Sequence, residues 1–246
     1  MTQYDLIADI YDEYTDGFDY SAYLERIFEK APFLPERGLV LDCGCGTGTL
    51  ITKLEKTGYS CTGVDISPEM LEIAADKISD SGFEPHLVCQ PLEKIDLYGA
   101  YDLCFCSLDT INHLSKDQLT KFVGRLINFT EPGGYFIFDV KTETMMKRSA
   151  RLRVTDKEKS TLILDGTFTK DRLTNYITVF SERDGQYDRY DCVIKENLYK
   201  RNELKKILMQ SGFTPITVFP FSGRDIYISR KEKNQLMHNT ENTDEK

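Results

Sequence analysis

The stretch Val40-Leu41-Asp42-Cys43-Gly44-Cys45-Gly46-Thr47-Gly48 constrains this chain more than any other. A short apolar run that ends in an acid and breaks at once into alternating glycines reads as a β-strand entering a tight turn. Glycine tolerates positive φ and lets backbone approach a ligand closely. Leu50, Ile51 and Leu54 follow on a helical stripe that Gly58 ends. The unit is strand, glycine turn, helix. In open α/β sheets the ligand crevice lies outside the carboxyl ends of the strands, where this turn would sit. A tight turn that binds nothing is the plain alternative.

The alternation extends in both directions. Tyr20, Tyr23, Leu24, Ile27 and Phe28 form an amphipathic helical stripe that Pro32 and Pro35 stop. Strands are expected at 39–43, 59–65, 86–89, 101–106 and 135–140. Ser67-Pro68-Glu69 reads as N-cap, proline at the first helical position and an acid in the first turn. Ser115-x-x-Gln118 reads as a capping box opening a helix with Leu119, Phe122, Val123, Leu126 and Ile127 on one face. Strand–helix repetition at this spacing predicts a parallel sheet with helices on both faces. From Thr161 to Tyr199 the helical stripe vanishes, and Asp184-Gly185 marks a hairpin turn, so three antiparallel strands are expected there. A helix from Asn202 to Gly212 and two strands, 214–219 and 224–229, complete the pattern. The expected organisation is a core over 1–145 with an N-terminal helical cover, an antiparallel module over 146–200, and a return to the core over 201–230. A polar, disordered tail over 231–246 follows.

Charge and cysteine usage narrow the functional classes. The net charge is −9, from 31 basic and 40 acidic residues, which argues against nucleic acid as an obligatory partner. No apolar run approaches the roughly 18–20 residues of a membrane span, and the acidic N-terminus does not resemble a secretory signal. The seven cysteines are odd in number, and five fall in apolar strand runs. The Cys43/Cys45 and Cys104/Cys106 pairs are spaced more tightly than most structural zinc ligands, so no metal is expected. A reducing, cytoplasmic setting accounts for free cysteines.

Two cofactor chemistries compete at the glycine turn. A dinucleotide site needs G-x-G-x-x-G, yet counting from Gly44 the third position is Thr49, and from Gly46 it is Ile51. Asp65 ends the second strand, and a carboxylate there can accept hydrogen bonds from both hydroxyls of a ribose, which both chemistries use. The pattern that fits is Asp-x-Gly-x-Gly-x-Gly. It resembles the first motif of class I S-adenosylmethionine-dependent methyltransferases. The order of elements also resembles their Rossmann-like seven-stranded sheet, with the small antiparallel β module inserted. More narrowly, the chain is similar to bacterial small-molecule-type methyltransferases in three places: Ile7 to Tyr14 (IADIYDEY), Asp109-Thr110-Ile111-Asn112-His113-Leu114, and Pro132 to Asp139 (PGGYFIFD).

The resemblance implies roles residue by residue. Asp42 and the backbone of Gly44, Cys45 and Gly46 would hold the methionine part of S-adenosyl-L-methionine, and Asp65 its ribose. Ile66 and Met70 would pack near the adenine, and Cys106 would lie at the same site. Pro91 stands where the family commonly has an acid for the adenine amino group; Gln90, Glu93 or water would meet it, and the Leu92 N–H a ring nitrogen. The implied reaction is direct in-line displacement onto a small-molecule acceptor, with the module over 146–200 as substrate lid. Candidate catalytic residues are His113, Asp109 and Tyr11, with Asp139 and Tyr14 also at strand ends; His113 would act as base or line the substrate edge, Tyr11 as cover. A tRNA or protein methyltransferase, a non-catalytic cofactor-binding protein and an NAD-dependent oxidoreductase are the alternatives. The seven basic residues between Lys141 and Lys159 read as a solvated face or, less simply, a docking strip for an acidic substrate or RNA. The oligomeric state is left open.

Overall fold

In the computed structural model, which describes residues 4–15 and 17–233, a 3-10 turn (Asp5–Ile7) leads into α1 (Ala8–Thr15). Helix α2 (Tyr20–Lys30) starts where the Asp19 side chain accepts the Ala22 N–H. The alternating core then runs β1 (Leu39–Cys43), α3 (Thr49–Glu55), β2 (Ser60–Asp65), α4 (Pro68–Asp80), β3 (Leu87–Cys89) and β4 (Tyr101–Cys106). A short α5 (Thr110–His113) precedes α6 (Lys116–Leu126), which opens with the full Ser115/Gln118 capping box. Strand β5 (Thr130–Lys141) is longer than expected, because the Pro-Gly-Gly segment lies inside it.

Two elements escape the sequence pattern. Helix α7 (Glu143–Ser149), capped by Thr142, and strand β6 (Leu152–Asp156) precede β7 (Ser160–Thr169), β8 (Arg172–Arg183) and β9 (Gln186–Asn197). The antiparallel module therefore has four strands, in the order β6-β7-β8-β9, not three. Its β8–β9 turn is the two-residue Asp184-Gly185 loop, with φ of 54° and 76°, the positive values that a hairpin's right-handed twist favours. Helix α8 (Arg201–Gln210), β10 (Phe213–Phe221) and β11 (Arg224–Lys231) return to the core. Strand β11 includes Lys231, where a tail was expected to start; residues 234–246 of that expected tail lie outside the described residues.

The large sheet has the order β10-β11-β5-β4-β1-β2-β3, parallel except where β11 pairs with β5 and β10. From β1 the chain moves to β2 and β3 on one side, then crosses back to β4 on the other. The carboxyl ends of β1 and β4 therefore flank a topological switch point, where a crevice opens. Strand alternation sends Val40, Phe105 and Ile137 to one face, against α2, α3 and α4, and Leu41, Cys104 and Phe136 to the other, against α6 and α8. A third cluster joins Ile7 and Ile10 to Ile177, Val179 and Ile194, so the module packs on the N-terminal helix. Among the described residues no helix is long and apolar enough to cross a membrane.

Candidate active site

The glycine turn opens onto a cavity of about 470 Å³ at the switch point. Gly44 and Gly46 both have positive φ, 78° and 53°. A Cβ on Gly44 would sit 2.5 Å from Thr110 Cγ2, whereas one on Gly46 would meet nothing within 4 Å. The first glycine is required by packing; the second leaves backbone exposed to the cavity it lines. The Gly46 N–H donates to Asp65 Oδ2 and the Ser67 N–H to Asp65 Oδ1, each at 2.9 Å. These bonds fix the carboxylate at the cavity wall and leave each oxygen a further lone pair for a hydroxyl donor. Burial raises the Asp65 pKa, although those N–H groups oppose it.

Asp42 is the more telling carboxylate. It is 1% exposed, and its Oδ1 has no hydrogen-bond partner among the described residues. Burial, with the Asp65 charge adding to it, pushes its pKa up to about 7. Asp42 borders a small annex of about 40 Å³ with Cys45, Tyr11 and Tyr20, continuous with the main cavity at Gly44 and Gly46. A buried carboxylate without counter-charge fits a ligand that is cationic at this end and carries a ribose at Asp65.

Beyond Asp65 the wall is formed by Ile66, Met70, Pro91, Leu92 and Glu93. Two expected cofactor contacts fall outside it. Gln90 turns away, its Oε1 accepting the Asp96 N–H at 2.9 Å. Cys106 points into the core beside Cys43, fully buried, because strand alternation assigns it to the α6 face. Glu93 does line the cavity, steadied by Gln118 Nε2 at 3.3 Å.

At the other end, Leu108 and Asp109 are consecutive non-glycine residues at φ of 52° and 71°. Such backbone costs on the order of 1–3 kcal/mol per residue and persists only when surrounding bonds over-determine it. Here Asp139 accepts the N–H of Leu108 at 2.9 Å and of Asp109 at 3.2 Å, and also the Tyr23 hydroxyl at 3.0 Å. Arg224 grips Asp109 with two N–H donors at 2.9 and 3.0 Å, and Lys141 lies 2.8 Å from Asp109 and 2.6 Å from Glu196. Burial alone would raise the Asp109 pKa, but Lys141 and Arg224 outweigh it and hold the carboxyl ionised. Asp139 is pushed up by burial and by Asp109. Asn112 ties the loop to the module, donating to the Asn197 carbonyl at 2.8 Å while its Oδ1 accepts the Lys141 N–H.

His113 stands where the two parts meet. Burial pushes its pKa below the usual imidazole range, although Glu196 pulls the other way. The Lys195 backbone carbonyl accepts from one ring nitrogen, and the Tyr4 hydroxyl lies 2.9 Å from Nε2. A neutral ring that donates to Lys195 through Nδ1 accepts from Tyr4 at Nε2. Tyr4, Tyr11, Leu108, His113 and Ile194 line both the main cavity and an adjoining one of about 210 Å³ between α1 and the module. Tyr14 instead binds the Ser160 hydroxyl at 3.0 Å and docks α1 on β7.

Sequence reasoning missed Tyr4, Arg224, Glu196 and Asn175. Their only signal was polar character within apolar or alternating runs. Lys141 was counted in the basic strip, yet its side chain is 12% exposed.

The family description "Methyltransferase domain" matches residues 40–134, which hold the glycine turn, Asp65 and strands β1 to β4. The chain is a class I S-adenosylmethionine-dependent methyltransferase, and S-adenosylmethionine is its cofactor. The chain is 26% identical, over 87% of its length and 90% of the relative's, to a protein of Geobacillus sp. (strain WCH70) described as a methyltransferase. It is 27% identical to YqeM of Bacillus subtilis (strain 168), over 85% and 86% of the two chains. A solved S-adenosylmethionine-dependent methyltransferase of Clostridium acetobutylicum superposes with a TM-score of 0.80, at 26% identity, covering 94% of this chain and all of that one. The sugar N-methyltransferase KedS8 of Streptoalloteichus shares the fold, with a TM-score of 0.76 at 18% identity over 91% and 93% of the chains.

Proposed function

We propose that the protein methylates a small-molecule acceptor held in the 210 Å³ cavity, with His113 taking the acceptor's proton. S-adenosylmethionine, when bound, supplies a methyl group on a sulfonium that a nucleophile displaces in line. The chain's own residues align and exclude water. The observation that carries the reading is the position of Tyr4 and His113 on the wall shared by the two cavities. Burial disfavours the charged form of His113, and its Nε2, which accepts the Tyr4 hydroxyl, would take a proton through, or in place of, that hydroxyl. Tyr11 borders the main cavity, its annex and the acceptor cavity, which suits a residue that positions the two reactants.

Asp109, held ionised by two cations, is a poor proton acceptor and serves by fixing the strained loop beside His113. Asp42, Gly44, Gly46 and Asp65 would hold the cofactor's amino-acid and ribose parts, with Ile66, Met70 and Leu92 toward its base. The module over 146–200 would act as the lid, since β9 supplies Val193, Ile194 and Lys195 to the main cavity. A covered cavity suits a small acceptor better than a polymer, and the net charge of −9 argues the same way against RNA.

The test is incubation with methyl-labelled S-adenosylmethionine and separate pools of small metabolites, RNA and protein. The reading expects label in a compound of low mass. Label in RNA or protein alone would overturn it.

A further inference from the structure

The acceptor cavity does not end at the module. It continues into an outer chamber of about 200 Å³, and the two share Tyr14, Arg153, Leu162 and Leu164. The sheet face that meets α1 is apolar, carrying Leu162, Leu164, Ile177, Val179 and Ile194. Strand register puts Arg153 on that same face, directly opposite Leu164, which in turn opposes Ile177. Arg153 is exposed at the outer edge of that row, where water meets its guanidinium and a ligand anion could replace that water.

Among the described residues Arg153 makes no ion pair. Of the acids bordering the two chambers, Asp109 is paired with Lys141 and Arg224 and Glu196 with Lys141 and Asn175, while Glu13 shares the outer chamber with Arg153 and accepts the Ser160 hydroxyl at 3.3 Å. Partial burial and then the neighbouring Arg151 lower the Arg153 pKa, and the Glu196 charge opposes them.

The neighbouring polar residue of the cavity wall is Asn175. Asn175 is 5% exposed and borders it, and its Oδ1 has no hydrogen-bond partner. Its Nδ2 donates to Glu196 Oε1 at 3.0 Å, and a carboxylate accepts only, so the amide cannot be turned the other way round. That Oδ1 is closed off from the cavity and packs over Gly166, so the polar group the two chambers present at their outer end is the Arg153 guanidinium.

We infer that the methyl acceptor is an anionic small molecule, its carboxylate or phosphate group on Arg153. The inference rests on the reading of this cavity as the acceptor site. The arginine fork matches carboxylate and phosphate alike in a paired geometry. It also gives a role to part of the basic strip between Lys141 and Lys159. Lys141 is consumed in the buried network and Lys147 by Glu143, whereas Arg153 faces the chamber.

The experiment is calorimetric titration of the full chain, saturated with S-adenosylhomocysteine, with three probes of one shape: 4-hydroxyphenylacetate, 4-hydroxyphenyl phosphate and the neutral 4-hydroxyphenylacetamide. Both anions are expected to bind about tenfold or more tightly than the amide, and the stronger anion names the group recognised. Arg153→Gln should abolish the preference and Arg153→Lys restore part of it, with S-adenosylhomocysteine affinity unchanged in both. Equal binding of the amide, no binding of either anion at millimolar concentration, or an intact preference in Arg153→Gln would overturn the inference. Methyl transfer to a neutral metabolite would leave the acceptor-cavity reading standing and remove this one alone.

Discussion

The proposed cofactor and acceptor ends of the site are assembled by different means. The cofactor end is local and made largely of backbone: Asp42, Gly44, Gly46 and Asp65 lie within one strand–turn–helix–strand unit, joined by N–H bonds to a carboxylate. The acceptor end is remote in sequence and made of side chains. Tyr4 reaches His113 across 109 positions, and Arg224 reaches Asp109 across 115. A local site can be specified by a motif of a few residues. A remote one needs the whole fold to be in place first.

The largest effect that would separate the two ends is at His113. His113→Gln should lower kcat by about 10²–10⁴-fold, the usual loss for a general base, and leave S-adenosylhomocysteine affinity unchanged. In the native enzyme the acid limb of the pH–rate profile should lie below the ordinary imidazole range, because burial depresses this group. A profile unchanged in the variant would assign the proton to another group. Asp65→Ala should do the reverse, weakening cofactor binding roughly tenfold or more by loss of charge-assisted hydrogen bonds. Calorimetry reads both.

Asp42 gives a prediction of opposite sign for stability and binding. Its folded pKa of about 7 lies above the unfolded carboxylate value of about 3.9. The folded chain therefore holds more protons than the unfolded one between those limits, and this group's contribution to stability falls as pH rises through that window. Asp42→Asn should raise the Tm of the ligand-free protein at pH 8, by about 2–4 °C for each kcal/mol relieved, and make no difference near pH 4. The same variant should bind S-adenosylmethionine, which is cationic at sulfur, more weakly. A lower Tm at pH 8 would mean that the carboxylate has a partner in the free protein.

The smallest effect expected is at the adenine edge. Glu93→Ala should weaken S-adenosylhomocysteine by a few-fold, about what one partly solvated hydrogen bond provides, and Gln90→Ala should not change it. Equal losses in the two variants would show that Gln90 turns back toward the base when ligand is bound.

The contrast between the ends also explains what could be read in the sequence. The glycine turn, Asp65 and the strand order were legible because hydrophobic periodicity and turn chemistry are short-range signals. Asp109, Asn112 and His113 were picked out as a group, with base or substrate edge as the tasks open to His113, but the ionised, loop-fixing state of Asp109 was not. That Asp109 would be neutralised by Arg224 and Lys141 depends on β11 and β5 lying side by side. Pro91 flagged a missing acid, and only the turn of Gln90 toward Asp96 shows which neighbour faces the cavity. Strand β6 was missed because all five of its residues are exposed, so Leu152 and Val154 alternate with Arg153 and Thr155 without a buried face to enforce the pattern. Helix α7 is short and polar, with Met146 as its one buried residue, and gives no stripe.

The most direct test of separable ends is to fill the acceptor cavity from the module side. Leu164 lines that cavity and the outer chamber and does not border the 470 Å³ cavity. Leu164→Trp should leave S-adenosylhomocysteine affinity at the native value while methyl transfer to the small-molecule pool falls to about one hundredth or less, as expected when an acceptor is displaced by an ångström or so. Native turnover in a folded Leu164→Trp protein, or loss of cofactor binding in step with activity, would contradict the account.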